Sequence, residues 1–320
     1  MRNAIRAGPL AAGAFAHPGR GRVASVHRSA INLKLEHGPY VALLPDDAPL
    51  HPWAVCASLD PARFTVGMEF TLEEGVLQAG TTRLHLAGAA VEALRIEIRP
   101  ALAPAPFLLP GGGSPEAHGP FGDALRRGLR RYVDGDGARE LAALVGLGVG
   151  LTPSGDDALV GVLAGLDLLG AALVAAGADR AGLVEELRTT LEPGRGTPRT
   201  HPLSAQMLLA AAAGLYPEPL CRMAEALAAA AGSAPGGGVA SAVDSAPSGF
   251  AASAVDSAAT ALCNLGHTSG RDMLAGLDAA LRRFAPGAGG SAGPRQEDPP
   301  ASAPAGPRQE DPPASGPAGP

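Results

Sequence analysis

Residues 31–36 read Ile31-Asn32-Leu33-Lys34-Leu35-Glu36, with apolar and polar side chains taking turns. Period two sends successive side chains to opposite faces of an extended chain, so this stretch predicts a β-strand with one buried and one wet face. The pattern recurs in Val66/Met68/Phe70/Leu72, in Leu84/Leu86 against Arg83/His85, and in Leu94/Ile96/Ile98 against Arg95/Glu97/Arg99. Glycine and proline interrupt it at short intervals. Antiparallel strands in a β-sandwich or small barrel are therefore expected over about residues 20–100.

The period changes further along. PAPFLLPGGGSPEAHGP (104–120) holds too many prolines and glycines for a helix or a strand and reads as a connector. Helical patterns follow at 121–133, 138–147, 155–177, 180–191, 203–214, 218–231, 251–265 and 270–284, built mostly from Ala and Leu, which favour helix. Eight of the eleven aromatic residues precede residue 140, which also marks a change of architecture. The expected fold class is α+β, with a β-rich domain over 1–103, a connector over 104–120 and an α-helical domain over 121–284. Residues 285–320 hold no aliphatic side chain larger than Ala and repeat GPRQEDPPAS, too little apolar surface to fold, so a disordered tail is expected. The stretch 232–250 is rich in Gly, Ser and Pro and reads as a loop. The hexamer SAVDSA, at 241–246 and again at 253–258, looks like local duplication.

Twenty-five Lys+Arg against 31 Asp+Glu give a net charge of −6, which argues against a nucleic-acid partner. Lysine occurs once, at Lys34, so the abundance of arginine reflects GC-rich coding and carries little functional weight. Cys56, Cys221 and Cys263 are odd in number and far apart. That fits a reducing cytoplasm and disfavours a disulfide framework or a thiolate metal site. Residues 1–16 imitate a signal peptide, but glycine and proline impoverish the apolar part. The run 158–177 has the length of a bilayer span, yet Asp167 at its centre and its repeated glycines favour a buried core helix, so no membrane partner is expected.

The most informative feature is a motif used twice. Gly150-Leu-Thr152-Pro-Ser154-Gly155-Asp156-Asp157-Ala-Leu159-Val-Gly161 and Gly266-His267-Thr268-Ser269-Gly270-Arg271-Asp272-Met-Leu274-Ala-Gly276 coincide at seven positions if Pro153 is a one-residue insertion. Each reads GxT, then SGxDxLxG, and leads into an apolar helix. Ser154/Asp157 and Ser269/Asp272 have capping-box spacing, which accounts for those residues structurally. Capping does not require the leading Gly and Thr, nor a Gly at the second helical position, where it costs about 1 kcal/mol relative to Ala. Glycine-flanked turns at helix N-termini make anion sites, so Gly150, Thr152, Ser154, Gly155, Thr268, Ser269 and Gly270 are candidate binders of phosphate or carboxylate. Asp156, Asp157 and Asp272 would repel an anion unless they face away, cap backbone or hold a divalent cation. Asp156 and Asp157 are the Mg2+ candidates, although no cofactor is required. Gly161 with Gly165, and Gly276 with Ala280, form small-residue stripes that let the two helices pack closely and bring their N-termini to one ligand.

A third polar cluster, Arg195-Gly-Thr197-Pro-Arg199-Thr200-His201-Pro-Leu-Ser204, precedes another apolar helix. Arg199 and Thr200 are candidates for an anion clamp, with a solvated loop as the alternative. His201 is a weaker acid–base candidate than His267, which lies inside the repeat. Together with Asp157 and Asp272, His267 completes the candidate catalytic set. No GxGxxG follows a strand, GK[ST] and HExxH are absent from the sequence, and there is no GxSxG elbow.

In GLGVGLTPSGDD (146–157), RTHPLSAQMLLAAAAG (199–214) and LGHTSGRDMLAG (265–276) the chain resembles the AllH-like family, formerly a domain of unknown function. RVASVHRSAINLKL (22–35) is similar to that family's opening strands, so the resemblance spans about residues 10–284. It implies a subunit of oxamate carbamoyltransferase, acting with AllF-like (FdrA-like) and AllG-like subunits in allantoin degradation and purine catabolism. That assembly interconverts oxalurate plus phosphate with oxamate plus carbamoyl phosphate. Both sides of the reaction carry a carboxylate and a phosphate, in keeping with the anion reading. The alternative is a non-catalytic structural or small-anion-binding subunit.

Overall fold

The computed structural model describes residues 2–86, 88–96, 120–170, 173–192, 194, 199–232 and 249–285. Almost all of the expected connector, the expected tail beyond residue 285 and most of the 232–250 loop lie outside these residues. The β-rich and helical parts belong to one compact unit, Met1–Ala288.

Nine strands are described: β1 (Arg2–Ala7), β2 (Gly19–His27), β3 (Ala30–Leu35), β4 (Tyr40–Leu44), β5 (Ala54–Ala57), β6 (Glu69–Glu73), β7 (Val76–Ala79), β8 (Thr82–His85) and β9 (Ala90–Val91). They run in the order β5-β4-β3-β2-β6-β7-β8-β1, and a further β1–β5 pairing closes eight of them into a barrel. Along one edge of β1, β8 pairs at Arg2 and Asn3 and the extra strand β9 at Arg6 and Ala7. Most pairings are antiparallel, as expected from the alternation, whereas β4–β5, β1–β8 and β1–β9 are parallel. Glu74 and Gly75 both have positive φ, 49° and 72°, which matches the twist of the two-residue β6–β7 hairpin.

The barrel is an α+β companion to the helices, as its sequence anticipates. Val23, Ile31, Leu33, Val41, Leu43, Val55, Phe70, Leu72, Leu77 and Leu84 fill its interior. β4 and β5 are buried on both faces. Val41, Leu43 and Val55 point into the barrel, while Ala42, Leu44, Ala54 and Cys56 join the helical core. This wall explains why VALL and AVCA run apolar without alternation, as parallel strands covered on both sides do.

The helices are α1 (Pro9–Phe15), α2 (Pro120–Val133), α3 (Ser154–Gly170), α4 (Val174–Leu191), α5 (Pro202–Ala212), α6 (Glu218–Gly232), α7 (Gly249–Cys263) and α8 (Ser269–Arg283). The signal-like N-terminus is β1 followed by α1, with Ala4, Ala7, Ala11 and Phe15 buried in the barrel core. The run expected as one helix over 155–177 is two. α3 ends at Gly170, Leu173 is extended (φ −128°, ψ 111°), and Arg180 of α4 turns back to pair with Asp167 of α3. The helix expected at 138–147 is a 3-10 helix over Ala138–Leu144. The strand expected at Leu94–Ile98 does not form over its described part. Leu94 has φ 49°, its carbonyl accepts from the Tyr216 amide at 2.9 Å, and Leu94 and Ile96 pack into the helical core. Alternation there reports burial against helices. No described helix is long and apolar enough to cross a membrane.

Candidate functional site

The two motif copies start α3 and α8, and these helices lie side by side in parallel. A Cβ on Gly161 would overlap the carbonyl oxygen of Met273, and one on Gly276 would overlap that of Ala158. One turn further along, a Cβ on Gly165 would overlap the methyl group of Ala280. The small-residue stripes therefore bring backbone against backbone, a separation no larger side chain allows. Gly161 lies against Met273 and Leu277, and Gly165, one turn on, against Leu277 and Ala280, so the two helices run in the same direction and their N-termini come to the same end.

At that end the Thr152 and Ser269 hydroxyl oxygens are 3.2 Å apart, one from each motif. The carboxylates are exchanged between the helices. Asp157 of α3 lies beside Ser269 and Thr152, and Asp272 of α8 lies beside Ser154 and Thr268. Both aspartates are fully buried, and none of their four carboxylate oxygens makes a hydrogen bond of good geometry. Burial pushes the Asp157 carboxyl well above the usual carboxylate range; the neighbouring hydroxyls counteract this, while Asp272 and Asp156 reinforce it. Asp272 is raised as well, by burial against the opposing pull of Ser154 and Thr268.

Asp156 has a different task. Its Oδ1 accepts from the Gly146 amide at 2.7 Å, and its Oδ2 accepts from Ser204 Oγ at 2.5 Å and from Thr200 Oγ1. This carboxylate ties the segment before α5 to the start of α3. Neighbouring residues on a helix point about 100° apart, so Asp156 and Asp157 face different surroundings and do not form the Mg2+ pair considered from the sequence. Thr200 is likewise committed to Asp156 and is not free to clamp an anion. Gly146 and Ser204 complete this latch. Only the Asp-Asp doublet hints at it in the sequence, since consecutive helical carboxylates cannot serve one partner.

Gly155 and Gly270 are needed for contacts within the chain. A Cβ on either would overlap a carbonyl oxygen, that of Leu144 or Leu262. Their amides donate to Leu147 and Leu265 at 2.8 and 3.0 Å, so the close approach inferred from these glycines is to the preceding turn and not to an anion. Gly150 has φ 95°, which favours glycine, and is exposed together with Leu151 and His267 around the joined N-termini. Thr152, Ser154, Thr268 and Ser269 are half-buried and form the floor. Arg199 is exposed and donates to the Ala143 carbonyl at 3.2 Å. His201 caps α5, its Nδ1 accepting from the Leu203 amide at 3.2 Å. Among the described residues no group of three or more His, Cys, Asp or Glu side chains is placed to hold a metal ion.

Residues 144–281, which take in both motifs and the Asp156 latch, match the family model described as oxamate carbamoyltransferase subunit AllH. Neither a curated protein nor a solved structure shows significant similarity to the chain.

Proposed function

With residues 144–281 AllH-like, we propose that the chain is the AllH-type subunit of an oxamate carbamoyltransferase and that the joined N-termini of α3 and α8 hold its anionic reactants. The observation that carries this reading is the Thr152–Ser269 contact, which makes one half-buried floor from two motifs more than a hundred residues apart. Four hydroxyls and two positive helix ends meet there beside the exposed His267. In the forward reaction a phosphate oxygen attacks the carbamoyl carbon of oxalurate. The C–N bond then breaks, and the oxamate nitrogen leaves with a proton. Hydroxyls and dipole ends stabilise the oxyanion that forms on the carbonyl, and His267 supplies the proton. AllF-like and AllG-like partners complete the assembly.

The test uses that assembly. Ser154→Ala and Ser269→Ala are each expected to lower turnover by about 10²–10³-fold, as loss of an oxyanion donor does, while costing only about 1 kcal/mol of stability. The chain alone is expected to show no turnover. A second reading, a non-catalytic structural subunit, draws support from the Gly155 and Gly270 amides, which are already satisfied within the chain. Normal turnover in both serine variants, with no melting shift from phosphate or oxamate, would establish that second reading.

A further inference from the structure

Two carboxylates and four hydroxyls gather between the N-termini of α3 and α8, three from each motif: Thr152, Ser154 and Asp157, and Thr268, Ser269 and Asp272. Both carboxylates are fully buried and their four oxygens lack hydrogen bonds of good geometry, a state that buried charges rarely keep without a partner. Oxygen donors without sulfur or imidazole suit a hard cation. We propose that Asp157 and Asp272, with the hydroxyls around them, hold one divalent cation of the Mg2+ or Mn2+ type. Asp156 takes no part, because its oxygens are occupied by Gly146, Thr200 and Ser204. With no third carboxylate, the remaining coordination positions fall to hydroxyls, water and the bound anion, in keeping with the waters that Mg2+ usually retains.

A bound cation also offsets the cost of ionising the two buried carboxyls, and the charge balance shows what it does for an anion. Each helix N-terminus contributes roughly +0.5, so wherever both buried aspartates are ionised the two helix ends and two carboxylates together carry about −1, which repels phosphate and oxalurate. A divalent cation changes the sign to about +1 and makes the floor attractive to them. The inference rests on the anion reading above and gives the means by which a floor lined with buried carboxylates accepts an anion.

Mn2+ titration of the full chain, followed by the electron paramagnetic resonance signal of free Mn2+, tests it. One saturable Mn2+ per chain is expected, displaced by Mg2+. Asp157→Asn and Asp272→Asn are each expected to weaken it by at least about tenfold, a loss that even an outer-shell change can produce, with Asp60→Asn as the unaffected control. Circular dichroism checks the fold of each variant. If an Asn variant does not fold, weaker binding in Ser154→Ala and Ser269→Ala locates the ion instead. No saturable binding at millimolar Mn2+, or binding unchanged in the folded variants, overturns the proposal. A melting shift from phosphate in EDTA equal to that in Mn2+ also overturns it while leaving the anion reading intact. Site-specific Mn2+ binding without any phosphate effect upholds the cation site and removes the anion reading.

Discussion

At Asp156 and Asp157 two adjacent carboxylates have opposite surroundings, because the helix turns one toward three hydrogen-bond donors and the other toward a second helix. The consequence is pH dependence. Folding raises the Asp157 pKa, so the stability present below the unfolded value, about 3.9, is lost as pH rises toward the folded one. In EDTA, the uncharged isostere Asp157→Asn is expected to melt above the wild type at pH 7.5, with the gap closing toward pH 4. Each kcal/mol corresponds to about 2–4 °C for a chain of this size, and melting curves at pH 4, 6 and 7.5 check it. Asp157 and Asp272 were legible as special residues from the repeat. Their exchange of hydroxyl neighbours was not, because one-dimensional spacing pairs each aspartate with the serine of its own helix.

Between helices α3 and α8 the contact is made by backbone. Gly161→Ala and Gly276→Ala each drive a methyl group into a carbonyl of the facing helix, and neither obstruction is a flexible side chain that can move aside. A loss of about 1–3 kcal/mol or more is expected, read as a fall in urea midpoint. Gly13→Ala in α1 is the contrast. Nothing lies within 4 Å of its added methyl, so it is expected to be neutral or stabilising by up to about 1 kcal/mol. The small-residue stripes could be read from the sequence because close helix packing leaves a period of about four. The break between α3 and α4 could not, since an Ala/Leu run looks the same on both sides of it. Leu94 and Ile96 misled for a related reason: alternation signals one buried face and does not say whether strands or helices cover it.

Across the whole molecule, Glu218 at the start of α6 joins the helices to the barrel. Its Oε2 accepts from the Leu50 amide at 2.9 Å and from Arg6 of β1 at 2.7 Å, and Arg222 binds Oε1. Burial alone would raise the Glu218 carboxyl, but the Leu50 amide and Arg6 outweigh it and hold it below the ordinary value. This stability is present above the unfolded carboxyl pKa and lost as pH falls through the lower folded one. Glu218→Gln is expected to cost about 1.5–3 kcal/mol at pH 7, the range for hydrogen bonds to charged groups, and less near pH 3, as denaturation at the two pH values would show. Deleting residues 286–320 is expected to leave the melting temperature unchanged, since that stretch offers no aliphatic side chain beyond Ala. A drop of several degrees would mean that it docks on the body.

The barrel closes through its first strand, which pairs with β5 on one edge and with β8 and β9 on the other. During synthesis, Arg2–Ala7 is made before the rest of the barrel, yet its second edge has no partner until residues 82–91 have been made. At about 5–20 residues per second, the strand waits roughly 4–17 s with that edge unpaired. The loop that must then close is the longest in the barrel, which makes it the entropically slowest contact. β1 is thus the earliest segment of the barrel to be translated and the last to be locked in place. Until then it is the part of the nascent chain most open to capture by a chaperone or by another copy of itself.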